Sequence, residues 1–205
     1  MPARQQADVP EAFRRVLREL RDLPVRSEVS LEETPAPSRL APHAVALTGE
    51  VTVGGAELAS GRLVVLHDPA GLDAWQGRFR VVAFVRAQVE PEIAGDPLLP
   101  EVGWSWLTDA LTARGAGHVA PSGTVTRVVS ESFGTMAGRD GAGEIEMRAS
   151  WTPLGDSLAA HASAWVDLMC TAAGLPPLPD GVVAMPKTAG KSRARTASAR
   201  RRAPR

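Results

Sequence analysis

The chain has 205 residues, of which 44% are hydrophobic and 22% are charged, enough for one globular domain with a buried core. The longest apolar runs, such as 63–66, are too short to cross a membrane, and the N-terminus lacks the apolar stretch of a signal peptide. The single cysteine, Cys170, excludes an intramolecular disulfide and a cysteine-based metal site. We therefore expect a cytoplasmic protein that does not contact the membrane.

The formal net charge of zero conceals two oppositely charged segments. Residues 1–186 contain 15 basic and 23 acidic residues, a net charge of −8, whereas residues 187–205 carry +8. The basic segment has no apolar periodicity, which is typical of disorder. We predict a disordered N-terminus over 1–7, a single domain over 8–186 and a disordered basic tail over 187–205.

An amphipathic helix is predicted near the N-terminus. Asp8 is a candidate N-cap, and Phe13, Val16 and Leu20 follow at the spacing of one helical face. Pro24 ends this pattern. Arginines on the opposite face are interleaved with acidic residues, which indicates a solvated surface.

Alternation of apolar and polar residues predicts four strands in the first half of the chain, over 25–34, 43–53, 62–67 and 78–90. Gly54 and Gly55 favour a tight turn between the second strand and the third. The fourth strand is apolar on both faces at its start and on one face at its end. It therefore runs from the centre of a sheet towards an open rim.

The second half of the chain predicts a helix over about 100–114, strands over 122–133 and 142–151, and a last helix over about 154–173. Val125, Val129 and Phe133 are expected to face the apolar side of the partner strand.

The two predicted helices share a spacing of tryptophan and glycine, from Trp106 to Gly115 and from Trp165 to Gly174. Each helix follows two strands, which suggests two similar strand-strand-helix units over 62–114 and 122–173. The predicted fold class is α+β, with an antiparallel sheet of five to six strands and about three helices mainly on one face.

No motif commits the chain to a reaction. The four histidines lack the spacing of metal ligands, so we expect no metal site and no cofactor. No serine lies in a nucleophile motif, and Cys170 is predicted to be an inert thiol inside a helix. The glycine runs at 54–61 and 138–143 lack the phosphate-loop pattern and favour hairpin turns.

The stretch from 86 to 106 is the main candidate site, because it combines charged residues and tryptophans at a strand-to-helix connection. Tryptophan beside charged groups is typical of ligand or partner contact. Only one of the two tryptophans can point inwards on a helix, so the other is expected at a surface. The alternative is a salt-bridged loop with one tryptophan packed on the sheet. The candidate residues are Arg86, Glu90, Glu92, Asp96, Trp104 and Trp106.

A second candidate is a charged sheet face formed by two neighbouring strands. Opposite charges on such a face usually make solvated cross-strand pairs, although paired carboxylates can also act as general acid and base. The residues expected on this face are Arg127, Glu131, Glu144, Glu146 and Arg148.

The basic tail is the third candidate. Its composition matches arms that bind phosphate backbones by counterion release, and the alternatives are screening of the acidic domain or a solubilising extension. The candidate nucleic-acid contacts are Arg193, Arg195, Arg200, Arg201 and Arg202.

The chain resembles a known family through the run D-P-L-L-P-x-V-G-W-S-W-L at 96–107 and through flanking segments over roughly 10–186. The family is an uncharacterised actinobacterial one, known as domain of unknown function 3000. This resemblance implies a soluble bacterial protein with no assigned activity, cofactor or partner.

The leading hypothesis is therefore a non-enzymatic interaction or regulatory module that binds a protein or small ligand through 86–106. A homodimer is one form that the protein partner could take. The competing hypotheses are a nucleic-acid-associated accessory protein acting through the tail, and a hydrolase using the carboxylates.

Overall fold

A computed structural model describes residues 9–137 and 141–177, so the predictions for 1–7 and for the tail at 187–205 lie outside the described residues. The elements follow in the order α1 (Glu11–Arg21), β1 (Val29–Thr34), β2 (His43–Val53), β3 (Ala56–Leu72), β4 (Gly77–Val89), α2 (Pro91–Gly95), α3 (Leu99–Ala113), β5 (His118–Ser130), β6 (Ala142–Pro153) and α4 (Ala159–Ala172).

The six strands form one antiparallel sheet in the order β1-β2-β3-β4-β6-β5. The predicted fold class is therefore confirmed. Alternate residues of β4 from Phe79 to Ala87 are buried under the helices, and their neighbours point to the other face, called the open face below. No helix among the described residues is long and apolar enough to span a bilayer.

The core lies between the sheet and the helices, and two glycines allow α4 to approach closely. Added methyl groups at Gly49 and Gly61 would lie only 2.7 Å from atoms of Met169. Trp165 also packs on these glycines, and its Nε1 donates a hydrogen bond to the carbonyl of Phe84 at 3.3 Å. Trp165 and Met169 therefore fill the space that side chains would occupy at Gly49 of β2 and Gly61 of β3.

The strand order places the two predicted strand-strand-helix units side by side, with β4 and β6 adjacent and with β3 and β5 on their outer sides. α3 packs over β5 and β6, whereas α4 packs over β3 and β4, so each helix covers the strands of the other unit. Both helices end in the same way, with a left-handed glycine and a return hydrogen bond from Ala116 to Leu111 or from Leu175 to Cys170. In this arrangement β5 is the counterpart of β3.

Three sequence-based boundaries were wrong. β3 continues past Asp68 and Pro69 to Leu72, because β2 has ended there and the proline removes no ladder hydrogen bond. α4 begins five residues late, after a bend that contains a left-handed Gly155. Phe133 does not face the sheet: β5 ends at Ser130, and the Phe133 side chain is 74% exposed.

Part of the open face is also covered. Ala46, Val64 and Leu66 form a small buried cluster on this face, under Trp75 and the segment that joins β1 to β2. The remainder of the open face, over β4, β6 and β5, carries no helix among the described residues.

Candidate partner-binding surface

The structure divides the predicted 86–106 site between the two faces of the sheet. Arg86 points to the open face, opposite Glu146 on β6. The helices α2 and α3, which carry the remaining candidates, lie on the other face, where Ala94 approaches Gly143 and Gly103 approaches Ile145. Arg86 and the tryptophans therefore do not form one site.

Arg86 forms a two-pronged ion pair with Glu144 on the exposed surface. Its Nε donates to Glu144 Oε2 at 3.0 Å, and its second contact joins Nη2 to Oε1. The neighbouring carboxylate raises the pKa of Arg86 above its ordinary value. This geometry is that of a solvated cross-strand pair.

The acidic candidates near α2 are exposed, and one of them has a local structural role. Glu90 precedes Pro91 at the start of α2, and Glu92 lies in the first turn of that helix. Asp96 Oδ1 accepts a hydrogen bond from the backbone N–H of Leu98 at 2.8 Å, which fixes the turn into α3. Glu90 and Glu92 remain candidates for contact with a partner.

Both tryptophans of α3 are half-buried and pack against the core, so the structure does not place one inside and the other outside. Trp104 lies over Gly123 of β5, where an added methyl group would come within 2.8 Å of its Cζ3. Trp104 thus belongs to the part of the helical layer that borders β5.

The predicted charged sheet face is not assembled as expected. Arg127 pairs with Ile145 in register and points to the helical face, where its guanidinium donates to the carbonyl of Gly95 at 2.6 Å. Glu131 lies beyond the end of β5. On the open face, Arg148 pairs with Glu146 at 2.9 Å and lies 5.1 Å from the ring centre of Phe84.

The most distinctive surface is the outer edge of β5, which sequence analysis did not single out. No strand of residues 9–137 or 141–177 pairs with this edge. Apolar side chains flank its C-terminal end: Val128 is 37% exposed, Val129 and Met136 are each 47% exposed, and Phe133 is the most exposed. We call the edge from Ser122 to Ser130, together with these side chains, the β5 surface.

Arg80 fixes the start of β5. Its guanidinium donates to four neutral oxygens, namely the Ala120 carbonyl at 3.0 Å and the hydroxyls of Thr152, Ser122 and Ser150 at 3.1, 3.3 and 2.7 Å. Burial lowers the pKa of Arg80. Ala120 itself has a left-handed φ of 50°, at an irregularity in the β5–β6 pairing between Val119 and Ser122. The regular part of β5 therefore begins at Ser122.

The buried histidines support the core. Trp151 Nε1 donates to His161 Nδ1 at 3.0 Å, and burial lowers the pKa of His161 to about 4. His67 stacks on Phe79 with ring centres 4.3 Å apart, and burial lowers its pKa as well. Cys170 is also buried, which raises its pKa to about 11.

No group of three or more His, Cys, Asp or Glu side chains within the described ranges could hold a metal ion. The five tail arginines proposed as nucleic-acid contacts lie outside these ranges.

A groove of about 690 Å³ lies between α1, α4 and the end of α3. Two of its charged side chains, Arg114 and Glu19, connect the helices. Arg114 pairs with Asp167 at 2.5 Å, and Glu19 accepts hydrogen bonds from the backbone N–H groups of Leu158 and Ala159 at 2.7 and 3.2 Å. This groove is a packing feature of the fold.

The fold and surface define the class of the protein: an α+β domain with a six-strand antiparallel sheet that is covered by helices on one face. The chain belongs to the family described as protein of unknown function (DUF3000), whose model matches residues 9–183. No curated protein and no solved structure matches the chain closely enough to count as similar.

Proposed function

We propose that this chain is a non-enzymatic interaction module that binds a protein partner through the β5 surface. The observation that carries this proposal is the 13-residue edge strand β5, which has no neighbouring strand among the described residues on its outer side. Unpaired N–H and C=O groups along an edge are a template for another strand. The exposed Val129, Phe133 and Met136 add apolar area beside them.

The composition of β5 supports the proposal. Exposed edges of monomeric proteins usually carry charges, prolines or short strands that prevent pairing. The segment 122–130 contains only one charged residue, Arg127, and its guanidinium is turned towards the helical face. Threonine and valine make up most of the remaining positions, and both residue types favour strands.

The test is the recovery of partner proteins from a cell lysate by two matched variants. Thr126→Lys places a charge on the exposed β5 edge, and Ser30→Lys places the same charge at an exposed position of β1, on the opposite edge. We expect Thr126→Lys to reduce recovery at least tenfold and Ser30→Lys to leave it unchanged. Equal recovery by both variants, together with equal self-association of both variants, would contradict the proposal.

The charge of the tail supports a second candidate function, contact with RNA or DNA. The acidic remainder of the chain, with a net charge of −8, repels nucleic acid, so contact would depend on residues 187–205. We expect the full chain to shift nucleic acid in a gel at low salt and the chain without 187–205 not to do so. An unshifted full chain at low salt would exclude this function.

A further inference from the structure

We infer that the partner at the β5 surface is β5 of a second copy of this chain, paired antiparallel so that two six-strand sheets become one continuous sheet. This inference rests on the proposed function, because it names the partner of the same surface. The two copies would be related by a two-fold axis, the commonest symmetry of soluble oligomers.

The order of strands in the two units supports a neighbour on β5. β3, the counterpart of β5, is paired on its outer side by β2 from Ala56 to His67. A strand in this position of the fold thus accepts an antiparallel neighbour along most of its length without disturbing the helix above it. β5 lies outside β6 as β3 lies outside β4, but no described strand pairs with the outer side of β5.

The pairing register follows from geometry. Residues that face each other across antiparallel strands point to the same face, so even-numbered residues of one β5 must oppose even-numbered residues of the other. The regular segment Ser122–Ser130 overlaps completely only when Thr126 of one copy faces Thr126 of the other. A register centred on Arg127 would instead bring two arginines together.

The side chains suit this register. On the helical face, Gly123 of one copy opposes Val129 of the other, and the exposed valine would lie beside the ring of Trp104, which covers Gly123. Beyond the regular segment, Phe133 reaches the level of the second copy's half-buried Val119. The half-buried tryptophan and the exposed apolar side chains would thereby cover one another.

Charge favours a second copy over a charged peptide. Within 122–130 the side chains are neutral apart from Arg127, which is already engaged with Gly95. An acidic or basic strand would find no opposite charge to pair with. In the self-paired register, serine faces serine, threonine faces threonine or valine, and no two like charges are opposed.

The first test is the mass of the full chain in solution, with site-specific crosslinking. We expect twice the chain mass of 21.6 kDa by light scattering. Under mild oxidation, Thr126→Cys should form an intermolecular disulfide, because directly opposed residues lie within disulfide reach. Thr124→Cys should not, because its two copies would be about 13 Å apart along the strands. The native Cys170 is buried and does not interfere.

The second test uses opposite charges at the two-fold axis. Thr126→Lys and Thr126→Glu alone should each weaken association at least tenfold, because they oppose like charges. An equimolar mixture of the two variants should restore a dimer. A restored dimer would show that each single variant is folded and had lost only the pairing of β5. Ser30→Lys mixed with Ser30→Glu on β1 is the matched control.

Each outcome has a defined meaning. A monomer at all concentrations, or a dimer that crosslinks through Ser30→Cys instead of Thr126→Cys, would overturn the inference. If the chain is monomeric but Thr126→Lys still abolishes recovery of another protein, the inference fails and the proposed function stands. If Thr126→Lys changes neither self-association nor recovery, both fail.

Discussion

The two edges of the sheet differ in length, charge and burial. β1 has six residues, begins with the fully buried Val29 and carries the exposed Glu32 and Glu33 before Pro35 ends it. β5 has 13 residues, is exposed over most of its length and contains no acidic residue. The β1 edge is short and charged, which protects natural sheets from unwanted pairing, whereas Pro121 and the irregularity between Val119 and Ser122 of β5 lie before its regular segment Ser122–Ser130.

This difference indicates that another strand can extend the sheet at β5 and not at β1. The β1 side is also fixed by Arg26, which pairs with Glu28 at 2.9 Å and donates to the carbonyl of Pro176, after α4. The β5 side is supported mainly by β6 and by the helices beneath it. A stable edge and an edge open to pairing thus lie at opposite ends of one core.

The largest expected effect is the loss of stability in acid, which should reach the β5 side first. Trp151, whose indole N–H donates a hydrogen bond to His161, lies on β6 next to β5. Because the pKa of His161 is lowered from 6.5 to about 4, the neutral form stabilises the fold. Stability should be complete above pH 6.5 and fall by at most about 3 kcal/mol as the pH approaches 4. Denaturant unfolding at pH 7.5, 5.5 and 4 measures this loss.

His161→Gln is the control for acid sensitivity, since the amide keeps a hydrogen-bond acceptor and does not titrate. Its stability should change less between pH 7.5 and 4 than that of the native chain, with the residual slope arising from groups such as His67 and Glu28, whose pKa values are also lowered. Hydrogen exchange should show faster opening of β5 than of β1 at pH 4. Equal exchange rates in β5 and β1 at pH 4 would contradict the prediction that acid opens the β5 side first.

A truncation at each edge should separate their roles in stability. Val29→Ala removes two methyl groups from a fully buried position of β1 and should cost about 2 kcal/mol. Val129→Ala acts on a half-exposed side chain of β5 and should change the stability by less than about 0.5 kcal/mol. Thermal unfolding of both variants at low protein concentration is the measurement, and similar losses would show that β5 is as buried as β1.

A methyl group at Gly123 should disturb β5 while leaving β1 unchanged. The added Cβ would press against Trp104 Cζ3 and the backbone of Arg148, so Gly123→Ala should destabilise the fold by about 1–3 kcal/mol. Gly95→Ala is the matched control, because no atom lies within 4 Å of its added Cβ. Backbone NMR shifts should move along β5 and β6 and around Trp104 on α3, but not along β1; unchanged shifts in Gly123→Ala would mean that the close packing of Trp104 is absent.

The smallest effect is expected at Arg86. Its ion pair with Glu144 lies on the exposed open face, where Glu144 is opposite Val128 of β5. Exposed pairs contribute little to stability, so Arg86→Met should leave the Tm within experimental error. A clear fall in Tm would indicate that the open face contributes more to the fold than its exposure suggests.

Local patterns predicted most elements of this fold. The strong alternation from Phe79 to Val89 and the glycines after α3 and α4 specify a strand and two helix ends without tertiary information. The six-strand antiparallel sheet and the placement of helices on one face were therefore within reach of the sequence.

The site could be predicted only in part, because it depends on strand order. The sequence placed Arg86 and Trp104 in one candidate site, but α3 returns over β6 and β5 on the face opposite Arg86. The insertion of β6 between β4 and β5 turns β5 into an edge, and no local pattern specifies that order. The run at 122–130, with five threonines and valines and only one charged residue, Arg127, was the available signal.

The close contact of α4 with Gly49 and Gly61 has a consequence for the rate of folding. Trp165 and Met169 fill the space above strands that lie more than 100 residues earlier in the chain. Contacts between residues so distant in sequence close late, because the entropy of a long loop must be overcome first. During synthesis, the core would therefore remain open until α4 is made, because Gly49 and Gly61 leave space on β2 and β3 that this helix fills.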